Sequence, residues 1–179
     1  MIFQNEKLVV RPLRIKDQHL LFKWLSNPKV LKFYEGRDNP FDIEMVEKKF
    51  YNRNDETTRA IFEFAGTAIG YIQFYPLTQE DTKVYGYSLT QTIFGIDQFI
   101  GETLYWNKGI GQLLVKSIVN FLFLHKEAEL VVLDPQTQNE RAIKCYERCG
   151  FEKVKLLPKR ELHEGEYRDC WLMECKPKE

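Results

Sequence analysis

Trp106-Asn107-Lys108-Gly109-Ile110-Gly111-Gln112 sets two glycines, one residue apart, at the start of a helical pattern. A glycine turn that opens a helix brings successive backbone N–H groups and the positive helix end to one place. That makes an anion site suited to a pyrophosphate. Glycine lets the backbone approach the phosphates with no Cβ in the way, and tight packing is the competing reason for the same two glycines. No Gly-Lys-Ser/Thr follows, so this is not a Walker A loop, and no second strand–helix–strand unit supports a dinucleotide fold.

Working outward, Gly109–His125 reads as a long helix with Leu114, Ile118, Phe121 and Leu122 on its buried face. Leu130–Leu133 is a short buried strand. Asn139–Cys149 is a helix closed by Gly150, and Phe151–Leu157 and Cys170–Cys175 are the last strands. Upstream, Lys7–Leu13 is a strand, Lys16–Ser26 a helix, and Pro40–Tyr51 a second helix with Asp42 as N-cap. Arg59–Ala65 and Ala68–Tyr75 alternate around Gly66-Thr67 as a β-hairpin, Gln79–Lys83 reads as a polar loop, and Gly95–Gly101 as a further strand. No linker or repeat appears, so residues 1–179 are expected to form one α+β domain.

Composition excludes several classes. With 44% hydrophobic and 29% charged residues, the chain is neither disordered nor low-complexity. Lys+Arg and Asp+Glu are 26 each, so no charge excess points to nucleic acid or an anionic membrane. No apolar run is long enough to span a bilayer, and no secretory leader is legible, so the cytoplasm is expected. Cys145, Cys149, Cys170 and Cys175 lack zinc-ligand spacing and the histidines are scattered, so reduced structural thiols are expected and no metal. Acidic residues outnumber basic ones between Asp55 and Trp106, and the balance reverses from Asn107 to Arg160. That asymmetry suits a cation on one side and an anion on the other, or is ordinary surface charge.

A second segment, Asn139-Glu140-Arg141-Ala142-Ile143-Lys144-Cys145-Tyr146-Glu147-Arg148-Cys149-Gly150-Phe151, follows one helix and one strand after the glycine turn. Together the two segments resemble the GCN5-related N-acetyltransferase (GNAT) superfamily. The second matches that superfamily's pattern at Asn139, Ala142, Tyr146, Gly150 and Phe151. The first keeps Gly109 and Gly111 but has Trp106 where Gln or Arg is usual, which removes one side-chain contact and leaves the backbone cradle. Nearly the whole chain resembles the aminoglycoside 6′-N-acetyltransferases. The resemblance runs through Trp24-Leu25, Phe33–Asp38, Ile69–Gln73, Gly95–Glu102, Leu133-Asp134-Pro135 and Glu161–Gly165.

The resemblance implies a GNAT fold: a central mixed, mostly antiparallel sheet flanked by helices, its central strands splayed to form the acetyl-CoA cleft. It implies acetyl-CoA as cosubstrate and a polycationic aminoglycoside as acceptor. The pyrophosphate is expected on the N–H groups of Lys108, Gly109, Ile110, Gly111 and Gln112. Pantetheine and the oxyanion are expected along Phe99 and Ile100. Asn139 and Ala142 extend the cofactor site, with Asn139 contacting pantetheine, capping its helix, or both.

Asp97 is the candidate base. It stands in an apolar strand, where a carboxylate is costly unless used or paired. It either deprotonates the reacting ammonium or attracts and orients it; a structural capping aspartate is the plain alternative. Tyr146 is the candidate general acid for the CoA thiolate, or a core aromatic. Amine-rich acceptors call for carboxylates and flat rings, and Tyr34, Glu35, Gln73, Asp97, Asp134 and Asp169 match acceptor-contacting positions. Glu80, Asp81, Glu102 and Glu164 are weaker candidates. A protein N-terminal or polyamine acetyltransferase, or a non-catalytic acyl-CoA sensor, would share the cofactor segments. Oligomeric state is not legible.

Overall fold

The structure, a computed structural model, describes all 179 residues. In chain order the elements are β1 (Phe3–Asn5), β2 (Leu8–Pro12), α1 (Gln18–Trp24), α2 (Pro28–Leu31), α3 (Ile43–Val46, continued as a π turn over Glu47–Tyr51), β3 (Thr58–Phe64) and β4 (Thr67–Pro76). There follow α4 (Gln79–Tyr85), β5 (Ile93–Ile100), α5 (Ile110–His125), β6 (Leu130–Leu133), α6 (Glu140–Arg148), β7 (Glu152–His163) and β8 (Glu166–Cys175). The strands hydrogen-bond in the order β1-β2-β3-β4-β5-β6-β8-β7, a mixed sheet of eight in which β5 and β6 run parallel. The chain divides into two compact units.

The first unit comprises Met1–Gln73, Gln98–Lys108 and His163–Gly165. Here β2 pairs antiparallel with β1 and with β3, placing Val10 opposite Phe3 and Phe62. Leu21, Trp24, Leu31, Phe50, Tyr71 and Phe99 form its core with neighbouring side chains of α1 to α3. Asp42 caps α3 as expected, its carboxylate accepting from the Met45 N–H at 2.8 Å, although the helix starts at Ile43. Gly101 is obligatory: a Cβ there would stand 2.2 Å from the Trp24 ring. The Trp24 indole N–H in turn donates to Glu102 at 2.9 Å.

One ion pair secures the entry to α1. Asp17 is buried, and its carboxylate accepts two N–H groups of Arg11, at 2.8 and 2.9 Å, and the Arg14 backbone N–H at 2.8 Å. Arg11 also donates to Glu63 at 2.8 Å. Burial pushes the Asp17 carboxyl up, but the bonds from Arg11 and Arg14 outweigh it and hold it below the usual range.

The second unit comprises Phe74–Asp97, Gly109–Leu162 and Glu166–Glu179. Its β6 aligns Val132 with Gly95 in parallel and Leu133 with Met173 in antiparallel register. Helix α5 buries Leu114, Ile118 and Leu122 as expected, while Phe121 is half-buried with its ring 6.0 Å from that of Phe74.

Two readings of the sequence change here. Gln79–Lys83 is not a loop but most of α4: Thr78 caps it through the Asp81 N–H at 3.1 Å, and Thr82 and Tyr85 are buried. The last two strands are much longer than their apolar stretches and form a hairpin, β7–β8.

Replacing Asp17 by Ala should lower unfolding stability by about 3 kcal/mol, the low end for a broken buried pair because Glu63 still partners Arg11. With its folded pKa depressed, Asp17 contributes stability above the unfolded aspartate pKa of about 4 and loses it as pH falls further. Urea titrations of both proteins should therefore differ most at neutral pH and converge in acid.

Candidate active site

In the first unit, Tyr34 follows α2, and its ring lies 4.5 Å from that of Phe99, which also meets Tyr71 at 5.7 Å and Trp24 at 6.1 Å. The Tyr71 hydroxyl donates to the Gln73 side-chain carbonyl at 2.8 Å, which fixes that amide's orientation. Glu35 has a left-handed backbone (φ 74°) and is ion-paired with Lys49. The Lys49 ammonium also sits over the rings of Tyr34, Phe41 and Phe50 at 5.5–5.9 Å. Carboxylate plus ring faces is the environment expected for a substrate ammonium, and here one of the chain's own lysines fills it.

Two further contacts order this unit. Arg37 grips Glu164 with both ends of its guanidinium, at 2.8 and 3.0 Å, and this pairing holds the Glu164 carboxyl low. Trp106 donates its indole N–H to the Ile100 carbonyl at 2.9 Å and packs edge-on to Phe33. The tryptophan that stands in place of Gln or Arg is thus a bracing residue for the end of β5.

In the second unit, Asp97 is half-buried on β5 and is hydrogen-bonded by the Tyr75 hydroxyl from β4. Burial first, then the negative charges of Asp97 and Asp134, push the Tyr75 hydroxyl far above its ordinary range, so it stays a donor. Its ring covers Gly95, where a Cβ would come within 2.4 Å of it. Asp134 accepts from the Tyr85 hydroxyl at 3.0 Å and from Arg160 Nε at 3.2 Å. Arg160 also reaches Asp81 at 2.9 Å. Burial raises the Asp134 carboxyl, and the bonds from Tyr85 and Arg160 oppose that rise.

The cradle expected at the start of α5 is present. Gly109 (φ 76°) is the N-cap, and the Leu113 N–H is bonded back to the Gly109 carbonyl at 3.1 Å. The N–H groups of Ile110, Gly111 and Gln112 precede it in the first turn, where a helix offers no internal acceptor. Nothing lies within 4 Å of a Cβ built at Gly109 or Gly111, so a phosphate has room to approach the backbone. Lys108 is exposed beside it, its ammonium 5.8 Å from the Tyr105 ring centroid.

On α6, Asn139 acts as N-cap, its carbonyl accepting the Ala142 N–H at 3.3 Å. Tyr146 is half-buried with its ring 6.0 Å from that of Phe151. Asp169 is placed differently from Asp97 and Asp134. It lies exposed on β8 and accepts the backbone N–H of Lys159 at 2.8 Å, where Lys159 takes a left-handed φ of 50°. Its carboxylate secures an irregularity in the β7–β8 hairpin. Glu80 is exposed, and Glu102 is paired with Lys23 and Trp24.

Tyr75, Tyr85 and Arg160 belong to the cluster but were not singled out from the sequence. Tyr75 falls on the hairpin strand one turn of alternation beyond Gln73, a signal that register with β5 would have made useful. Tyr85 lies just beyond the Gln79–Lys83 stretch that reads as a loop, and nothing local links Arg160 to Asp134. The structure has no group of three His, Cys, Asp or Glu side chains arranged to hold a metal, and no helix long and apolar enough to cross a membrane.

Residues 15–158 match the family model described as an acetyltransferase (GNAT) domain. The chain belongs to this family. Among curated relatives, the GNAT chain is 27% identical over 152 residues to aminoglycoside N(6′)-acetyltransferase type 1 of Klebsiella pneumoniae, covering 83% of this chain and 76% of that one. It is 42% identical to the kanamycin resistance protein of Rhizobium radiobacter over a shorter stretch of 59 residues, 33% of this chain and 55% of that protein. The crystal structure of aminoglycoside acetyltransferase AAC(6′)-Ib with coenzyme A superposes with a TM-score of 0.76 at 24% identity, covering 94% of each chain. Spermidine N-acetyltransferase of Vibrio cholerae, with CoA and spermine, gives 0.77 at 18% identity and 96% of each. These two structural likenesses establish the shared fold.

Gly95→Ala should force the Tyr75 ring aside. Urea unfolding is expected to show a loss of about 1–3 kcal/mol, the range for an overpacked core. An unchanged midpoint would mean the ring does not rest on Gly95.

Proposed function

We propose that this GNAT acetyltransferase moves the acetyl group of acetyl-CoA directly to the 6′-amine of aminoglycoside antibiotics and so confers resistance to them. The observation that carries the reading is the setting of Asp97. Its carboxylate stands on a central strand, held by the hydroxyl of the half-buried Tyr75, with a second carboxylate, Asp134, acting on the same tyrosine. A donor-fixed, half-buried carboxylate attracts an alkylammonium and can take a proton from it, which frees the nitrogen lone pair for attack.

Acetyl-CoA supplies an activated acyl group on sulfur. The chain's residues then have five tasks. The first-turn N–H groups of α5, with Lys108, hold the pyrophosphate. The strand end at Phe99 and Ile100, braced by Trp106, positions pantetheine and supplies backbone donors to the carbonyl oxygen. Asp97 orients the ammonium and takes one proton from it; the neutral amine then forms the C–N bond, and the proton its nitrogen sheds on acylation passes to solvent as the C–S bond breaks. Tyr146 donates a proton to the departing thiolate. Tyr34, Glu35, Gln73, Asp134 and Asp169 are the proposed acceptor contacts, with Asp134 offering the oxygen that Tyr85 and Arg160 leave open.

Polyamine acceptors are the second reading, favoured by the likeness to a spermidine N-acetyltransferase. Aminoglycosides come first because the sequence match to relatives of that activity extends over most of the chain.

Free CoA thiol release from acetyl-CoA should be rapid with kanamycin and slight with paromomycin, which carries a 6′-hydroxyl in place of the amine. Turnover with spermidine alone would move the proposal to polyamines, and turnover with none of the three would overturn it. The cradle is tested by Gly111→Ala, which adds a methyl where the helix has open space. Unfolding stability should hold or rise by about 0.5–1 kcal/mol while the KM for acetyl-CoA increases severalfold. An unchanged KM would place the pyrophosphate elsewhere.

A further inference from the structure

Arg160, on β7, lies in a setting built for a cation. Its guanidinium meets Asp81 at 2.9 Å, Asp134 at 3.2 Å and the Tyr85 hydroxyl at 3.2 Å, and its Cζ is 5.3 Å from the Tyr85 ring centroid. Two carboxylates, a phenol oxygen and a ring face are the groups that would hold an ammonium of a polycationic ligand. The side chains of Arg160, Asp81 and Asp134 are 28, 28 and 29% exposed, so solvent, and with it a solute cation, reaches the set.

We propose that Arg160 is a specificity-determining residue, an internal cation that occupies the Asp81–Asp134–Tyr85 subsite and weakens the hold of that subsite on any further ammonium. The proposal rests on the reading that the acceptor is a polycationic aminoglycoside bound at these carboxylates. It goes further by assigning a charge ceiling. With Arg160 in place, the two carboxylates keep one uncompensated negative charge between them. An acceptor's second and third ammonium groups therefore gain little here, and discrimination falls to the amine nearest Asp97. Lys49, held by Glu35 and three rings in the first unit, follows the same recipe.

A purely structural ion pair makes the opposite forecast, which gives the test its sign. Removing a structural arginine loosens the site and leaves KM the same or higher. Removing an internal competitor lowers KM for polycations. Asp134 is raised by burial, with Tyr85 and Arg160 working against that rise, so it loses a stabilising partner in an Arg160 variant. The comparison therefore belongs on the alkaline side, at pH 8, because burial raises the Asp134 carboxyl and its protonation as pH falls should make the gain fade.

Steady-state kinetics of Arg160→Gln at pH 8 should show KM for kanamycin about fivefold lower than wild type, with kcat little changed, the scale for one partly exposed charge. Asp81→Asn should act in the opposite direction, because it leaves Arg160 wholly to Asp134, and should raise KM. An Arg160→Gln protein that melts like wild type and has an equal or higher KM would overturn the proposal. Should that variant fail to fold, Asp81→Asn decides alone, a KM equal to or below wild type overturning it. If wild type acetylates no amine, the acceptor reading has failed by itself. Calorimetric titration of spermine into wild type and Arg160→Gln then decides, tighter binding by the variant supporting the internal cation and equal binding overturning it.

Discussion

A carboxylate taken out of water is tolerated only where donors reach it, and this constraint shapes both units. Asp17 shows it in the first: buried outright, it collects three N–H groups, and the start of α1 is built on that collection. Asp134 shows it in the second, where Tyr85 and Arg160 converge on one oxygen and draw α4 and β7 to the end of β6. Asp97 is the most economical case, with the Tyr75 hydroxyl arriving from the neighbouring strand. Hydrophobic burial drives the collapse of such a chain, but polar satisfaction decides which arrangement of the strands is unique.

Donors of that size need room, and the glycines of β5 and its end provide it. Gly95 gives the Tyr75 ring its seat and so sets the height of the hydroxyl that meets Asp97; Gly101 does the same for Trp24, whose indole N–H reaches Glu102. The Gly95-Ile96-Asp97 order therefore has a physical reading. A residue without a side chain precedes, by one alternation, the carboxylate on the same face, and the aromatic partner fills the gap.

This explains what was legible beforehand and what was not. The glycine turn, α5, β6, α6 and the β3–β4 hairpin were readable because capping residues and apolar periodicity are local signals, and Asn139, Asp42 and Gly109 stand where such signals put them. Helix α4 was missed because Gln79-Glu80-Asp81 is polar and its burial rests on Thr82 and Tyr85 alone. The long β7–β8 hairpin was missed because Pro158 and Lys159 interrupt its alternation, and the repair, a bond from the Lys159 N–H to Asp169, spans the two strands. Asp97 is nameable from its apolar strand, and Asp134 and Asp169 through the family resemblance. Their partners are not, since Tyr75, Tyr85 and Arg160 become neighbours only through sheet register.

The same logic bears on the acceptor. Families that share a cofactor cradle diverge in what faces the reacting amine, and a helix start that binds pyrophosphate carries no information about that choice. Away from that cradle the chain builds settings for a cation, each a carboxylate joined to ring faces. Two of them already hold Lys49 and Arg160. Both are occupied by the chain's own cations, so the charge each presents to an incoming amine is the balance between its carboxylates and that internal cation.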